Sequence, residues 1–351
     1  MMSDYLENYN FFYPDDLVAL SPLAKKDHAN MLVFKENSFS HQKVFDLLKH
    51  ISENDLLVFN NTKVLPCRLI GQRVRLEQET TKTKVSVTLN KVIDQNVWTT
   101  FCRPLKKLKE GDKIIFSEEL HAKVMSFSAG QCVMNFETGG REFISCLKKI
   151  GDMPLPPYIT KKRGAKKQDF KTYQSPFAEV NGSVAAPTAS LHFSNEFLVS
   201  LKKKNIPHCF ITLHVSGGTF LPIREKNLKN HKMHSEYASV GENAALQIRK
   251  TLKRGGKLIA VGTTVMRVLE SSVFADNGFQ AFDGSVDTFI KPGHHFKVCS
   301  GLFTNFHLPK STLFILVNAF IGIKNANKLY NLAIKKRYRL FSYGDCSLLF
   351  P

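Results

Sequence analysis

The sequence lacks a disulfide framework. Its seven cysteines, at 67, 102, 132, 146, 209, 299 and 346, are odd in number, and no Cys-x-x-Cys occurs. That pattern argues against a stapled fold and against a thiolate zinc site. It fits a reducing, cytoplasmic setting. Long apolar runs are also missing. The longest, Leu313 to Ile321, is broken by Asn318 and falls short of the ~18 residues of a membrane span. The opening residues carry Asp4 and Glu7 rather than a basic start and an apolar stretch, so no secretory leader is expected. No G-x-x-x-x-G-K-[ST], G-x-G-x-x-G or H-E-x-x-H is present. Triphosphate-loop, dinucleotide and zinc-protease readings are therefore demoted.

What the chain has in excess is positive charge. Its 351 residues carry 49 Lys+Arg against 30 Asp+Glu, a formal net charge of +19. At 43 % hydrophobic and 23 % charged the composition is that of a globular protein, not of a disordered chain or a coiled coil. The length suggests about two domains. The charge favours a polyanion, nucleic acid first. A lysine-rich solvated surface is the competing reading.

Texture divides the chain. Met31 to Phe34 and Asp55 to Phe59 read as strands around a helix-like piece, Phe45 to His50. From about 68 to 147, apolar and polar residues alternate, with turns at Gly71, Asn90, Gly111, Gly130 and Gly139-Gly140. This predicts a small all-β unit, a barrel that leaves no open edge. GDMPLPPYI (from Gly151) predicts an extended boundary segment, and KKRGAKK (Lys161 to Lys167) a basic loop. Beyond it, Ser194 predicts an N-cap for a helix to about Lys204. His208 to Val215, Lys257 to Val261, Thr288 to Ile290 and Leu302 to Phe306 read as strands. Glu242 to Arg254, the stretch after Thr263-Thr264, and an amphipathic Thr312 to Phe320 read as helices. The simplest fold is an α/β main domain of α+β character, built from both chain ends (1–66 and 151–351). An all-β barrel-like domain (67–150) is inserted in it.

Four segments join turns to polar groups where strands meet helices, the usual ligand position in α/β folds. GSVAAPTASLHF (Gly182 to Phe193) offers small residues, Thr188 and His192. It suits either a ligand-hugging loop or a tightly packed one. TLHVSGGTF (Thr212 to Phe220) places His214 at a strand end, catalytic or structural. HKMHSE puts His231, His234 and Glu236 close together. On a helix the three do not converge. In an extended chain His234 and Glu236 share a face, which suits an acid–base pair better than a metal site. AVGTTVMRVLES and TNFHLPKSTL each end a strand in hydroxyls at a helix start, a place for a carboxylate or phosphate. Arg267 and Glu270 in the first either pair across the helix surface or meet ligand.

In this order the segments resemble the S-adenosylmethionine:tRNA ribosyltransferase-isomerase family of queuosine biosynthesis. The resemblance runs from LLVFNNTKVLPCRLIG (Leu56 to Gly71) through PLPPYI, GSVAAPT, TLHV, HKMHSE, AVGTT, PGHHF and TNFHLPKSTL to YRLFSYGD (Tyr338 to Asp345). It implies a split α/β domain with an inserted barrel. It also implies transfer of the ribosyl part of S-adenosylmethionine to 7-aminomethyl-7-deazaguanine at the tRNA wobble position. Isomerisation then gives epoxyqueuosine, with release of adenine and methionine, and no prosthetic group or metal. The partners implied are tRNA and S-adenosylmethionine, and a monomer is expected.

For this chemistry the candidates for proton transfer are His231, His234 and Glu236, then His214 and His307. Thr188, Thr263, Thr264, Arg267, Asn305 and Lys310 are candidate substrate contacts. Glu270 and Asp345 would meet cationic groups, and Tyr343 and Phe306 would stack on a flipped-out base. Lys161, Lys162, Arg163, Lys166 and Lys167 would hold the anticodon arm. The chain departs from the family's usual residues at Asn61 (Asp), Lys63 (Arg), Ser190 (Gly), Ser216-Gly217 (Gly-Ala) and Ser300 (Asp). A non-catalytic tRNA-binding paralogue and a metal-dependent hydrolase are the alternative readings.

Overall fold

The computed structural model describes the chain except for residues 1–3, 76–82, 221–222, 224, 272–273 and 276–277. Positions 76–82, inside the stretch read as the β unit, therefore lie outside the described residues. In chain order the first strands are β1 (Asn30–Lys35), β2 (Ser38–Lys43), β3 (Leu56–Asn60) and β4 (Thr62–Val64). Next come β5 (Arg68–Val74), β6 (Thr83–Asp94), β7 (Val97–Arg103), β8 (Lys113–Ile115), β9 (His121–Ser128) and β10 (Gln131–Phe136). Then follow β11 (Val180–Ser183), β12 (His208–Leu213), β13 (Glu236–Val240), β14 (Leu258–Val261), β15 (Phe274–Ala275), β16 (Gly278–Phe279), β17 (Phe282–Val286), β18 (Gly301–Asn305) and β19 (Cys346–Leu349). The helices are α1 (Gly140–Ile150), α2 (Pro157–Arg163), α3 (Asp169–Thr172), α4 (Asn195–Lys203), α5 (Glu242–Lys253), α6 (Thr263–Ser271), α7 (Thr312–Ile321) and α8 (Ile323–Lys335).

A nine-stranded mixed sheet, in the order β17-β13-β12-β3-β14-β18-β19-β1-β2, forms the body. Its centre, β12-β3-β14-β18, is parallel. Every residue of β3 and β14 is buried, as strands covered on both faces must be. Val58 joins the core on one face, and Leu57 and Phe59 join the core on the other. β1 to β3 precede the barrel in sequence and the other strands of this sheet follow it, so both chain ends build the body.

The strands from Arg68 to Phe136 close into a barrel, β10-β7-β6-β5-β8-β9. Alternation explains it: Val85, Val87 and Leu89 fill the interior while Ser86 and Thr88 face out. The chain enters and leaves the barrel side by side. Arg68 N–H donates to Asp152 O at 3.1 Å, and Asp152 N–H donates to Arg68 O at 2.8 Å.

Several expectations are corrected. The alternating stretch ends before residue 147, because Gly140–Ile150 is a helix that packs Phe143, Cys146 and Leu147 on the barrel core. The boundary segment is not extended throughout. Pro157 starts α2, where its missing N–H costs nothing. Lys161 to Arg163 are therefore the last turn of a helix rather than loop, and the loop begins at Gly164 (φ 68°). Thr288 to Ile290 is not a strand; the strand is β17, which pairs with β13. α7 is not amphipathic. It is buried nearly all round, and α8 packs against it.

Candidate active site

The carboxyl ends of the parallel strands converge on one pocket. β14 ends at Val261, and Gly262, Thr263 and Thr264 start α6 beneath the pocket. β18 delivers Thr304, Asn305 and His307. Val215 and Thr219 come from the segment after β12. The GSVAAPTASLHF segment adds Ala185, Ala186, Thr188 and Ala189, and Tyr158, Tyr173 and Phe341 also line the pocket.

A second lobe adjoins the first and shares Thr219, Arg267 and Leu313 with it. His231, His234, Glu236, Ser216 and Gly218 line this lobe. His234 leans on Gly218, where a Cβ would sit 2.6 Å from the imidazole Cδ2. His231 Nδ1 lies 3.2 Å from Glu225 Oε2.

Arg267 and Glu236 form the buried link between the lobes, with Arg267 Nη1 2.5 Å from Glu236 Oε2. Glu236 Oε1 accepts from Ser216 N–H at 2.8 Å, from Ser216 Oγ at 3.2 Å and from Thr219 Oγ1 at 3.4 Å. Arg267 Nε donates to Thr288 O at 3.3 Å. Thr264 Oγ1, Arg267 Nη2 and Asn305 Oδ1 are buried and make no hydrogen bond among the described residues. Two of these atoms can donate and two can accept, so together they suit a polar or zwitterionic ligand.

Burial lowers the His307 imidazole to about 3, so it stays neutral. Its Nε2 lies 2.8 Å from Thr304 Oγ1. Burial, helped by Arg339 and Lys26, also lowers His192 to about 3, and its Nε2 lies 3.1 Å from Asn305 Nδ2.

Other candidates are held elsewhere. His214 alternates with Val215 and points away from the pocket, its Nδ1 2.7 Å from Thr62 Oγ1 and its ring stacked on Tyr237. Glu270 does not pair with Arg267. It accepts the backbone N–H groups of Lys297, Val298 and Cys299 at 2.8 to 3.1 Å, just after the PGHHF segment, and lies 3.5 Å from His294 Nε2 within it. Lys310 pairs with Glu7. Asp345 is fully buried and accepts from Asn30 and from the Arg339 N–H. Tyr343 and Phe306 lie inside the core, so neither offers a free face to a base. The His/Glu pair expected at His234 and Glu236 is replaced by two others: Glu236 serves Arg267, and Glu225 serves His231. In the basic run, Arg163 is clamped to Asp169 and Lys162 pairs with Asp15, while Lys161, Lys166 and Lys167 are exposed.

A family model described as "Queuosine biosynthesis protein" matches residues 6–349. The chain belongs to the queuosine biosynthesis protein family. It is similar to the S-adenosylmethionine:tRNA ribosyltransferase-isomerase of Dinoroseobacter shibae, at 42 % identity over 99 % of both chains. It is likewise similar to the enzyme of that name from Halothermothrix orenii, at 41 % identity over 98 % of this chain and 99 % of that one. A crystal structure of the S-adenosylmethionine tRNA ribosyltransferase of Thermotoga maritima is similar over 98 % of this chain and 100 % of that one. The identity is 27 % and the TM-score 0.55.

Of the departures from the queuosine family's usual residues, Ser216 lies in the site and gives Glu236 a hydroxyl donor that glycine lacks. Asn61 accepts from Thr212 Oγ1 at 2.7 Å. Ser190 is buried behind the pocket loop, Lys63 sits on β4, and Ser300 is exposed. Sequence reasoning missed Ser216, Thr219 and Tyr158 as lining residues. The hydroxyls flanking Gly217-Gly218 were the available signal.

Proposed function

We propose that this chain transfers and isomerises the ribosyl moiety of S-adenosylmethionine onto 7-aminomethyl-7-deazaguanine in the tRNA anticodon. The product is epoxyqueuosine-tRNA, with adenine and methionine released. The observation that carries the residue assignment is the pair of lobes joined at Arg267. One lobe offers a helix start and unpaired polar atoms, and the other offers histidines. The methionine carboxylate binds at the start of α6, against Thr264 Oγ1 and Arg267 Nη2. Adenine lies toward Asn305, Thr188 and the Phe341 and Tyr158 rings. The substrate amine and the acidic proton beside the sulfonium face the second lobe, where His231 and His234 carry protons. Glu236 positions Arg267 and the Ser216 turn. Neutral His307 contributes a hydrogen bond rather than a proton. The chain divides functionally into the body (1–66 and 151–351), which carries the reaction, and the barrel (67–150).

The decisive experiment supplies S-adenosylmethionine and tRNA bearing aminomethyl-deazaguanine and measures adenine release. His234→Ala and His231→Ala are each expected to slow release by roughly 10²–10⁴-fold with the fold intact. Full turnover by a folded variant removes that histidine from the mechanism. Tight tRNA binding without any adenine release by the wild type would favour the non-catalytic paralogue. Loss of activity on chelation would favour the hydrolase. No group of three His, Cys, Asp or Glu is placed to hold a metal ion among the described residues.

A further inference from the structure

The outer wall of the barrel carries a row of side chains that the reaction does not use. Leu69, Val87 and Cys102 fill the interior, so their strand neighbours Arg68, Thr88, Phe101 and Arg103 face outward. Arg68 lies opposite Thr88, and Thr88 opposite Phe101, across three adjacent strands. Ser86 lies opposite Arg103 in the neighbouring row. α2 brings Thr160 and Lys161 against this face, and together they enclose a cleft. Among the described residues, no hydrogen bond or ion pair engages the side chains of Arg68, Arg103 or Lys161.

This cleft adjoins the active site across two stretches of chain that line both. Pro156 and Ala185 line the pocket, while their neighbours Leu155, Pro157 and Val184 line the cleft. Phe101 packs on Gly217, where a Cβ would meet its Cε2 at 2.9 Å. Gly217 N–H also donates to the barrel's Asn90 Oδ1 at 2.9 Å. The preceding residue, Ser216, holds Glu236.

We infer that the cleft binds the anticodon-loop strand beside the base that enters the pocket. Arg68, Arg103 and Lys161 take successive phosphates, and Phe101 stacks on a neighbouring unpaired base. Free cations around an aromatic face, on the outer sheet of a small barrel, are the chemistry of single-stranded nucleic acid recognition. Arginine forks match phosphate geometry. The inference rests on tRNA being the substrate. It extends the contact surface expected at the run 161–167, whose Lys161 lies in the cleft, to a barrel face carrying Arg68, Phe101 and Arg103.

The test measures binding of an anticodon stem-loop hairpin RNA to the full chain as salt is varied. Arg68→Gln/Arg103→Gln is expected to weaken binding at least ~10-fold and to lower the log–log salt slope by about 2. KM for tRNA should rise while kcat and S-adenosylmethionine binding hold. The charge reversal Arg68→Glu/Arg103→Glu should weaken binding further, and unfolding midpoints check that both variants fold. Hairpin affinity and slope equal to wild type in the folded Gln variant would overturn the inference, as would a wild type that binds no hairpin. The functional reading fails separately. Hairpin binding that depends on Arg68 and Arg103, without adenine release, would support the cleft and refute the reaction.

Discussion

His192 and His307 are enclosed at the strand ends, and burial holds each near a pKa of about 3 against an ordinary 6.5. Between those values the unfolded chain binds protons that the fold does not. Stability is therefore full above about 6.5 and falls as pH drops toward 3. By about pH 5 each histidine removes about 2 kcal/mol. Thermal unfolding should show a steep acid loss in the wild type and a shallower one in His192→Gln, whatever the variant's starting midpoint. Equal slopes would mean that His192 titrates normally in the fold. At this scale the sequence was a partial guide. Arg267 was picked out, but the only side-chain pairing the sequence offered it was the local one with Glu270. The real contact spans 31 residues, a separation that spacing along one helix cannot reveal. Tyr343 and Phe306 failed as stacking faces for a related reason: an aromatic reads the same in sequence whether it is packed or exposed.

Gly151 shows how an element boundary can depend on one missing atom. A Cβ there would lie 1.8 Å from Pro66 O, where the two crossings between body and barrel run together. Its own backbone is ordinary (φ −85°), so the demand is for space alone. Gly151→Ala should cost about 1–3 kcal/mol or more, read as a lowered denaturation midpoint. An unchanged midpoint would show that the crossings can part freely. Elements with strong local signals were legible. Ser194 caps α4 through the Phe197 N–H as its position implied, and the alternation of β6 produced a barrel strand. β19 was not read, because its few residues are buried on both faces and carry no period. α1 was absorbed into the β reading, although Phe143, Cys146 and Leu147 keep helical spacing.

Across the whole molecule the charge of +19 acts at two ranges. On the proposed function, exposed lysines such as Lys166 and Lys167 draw the tRNA in and the cleft cations hold it. Lys166→Glu/Lys167→Glu should slow tRNA association, most strongly at low salt, and leave kcat unchanged. Stopped-flow association rates compared across ionic strengths would show it. A slowed kcat would instead place these lysines in the reaction. Arg163 and Lys162 add little to either range, since carboxylates already engage them. The sequence by itself determined the family, the barrel between two halves of an α/β body, and the segments that supply the pocket. Those follow from local pattern and motif order, which each stretch of chain carries alone. Only the tertiary structure decided which groups face one another: Arg267 with Glu236, His231 with Glu225, and Arg68 with Arg103 and Lys161. Such pairings depend on how distant strands register across the sheet and barrel, and no stretch of chain specifies that by itself.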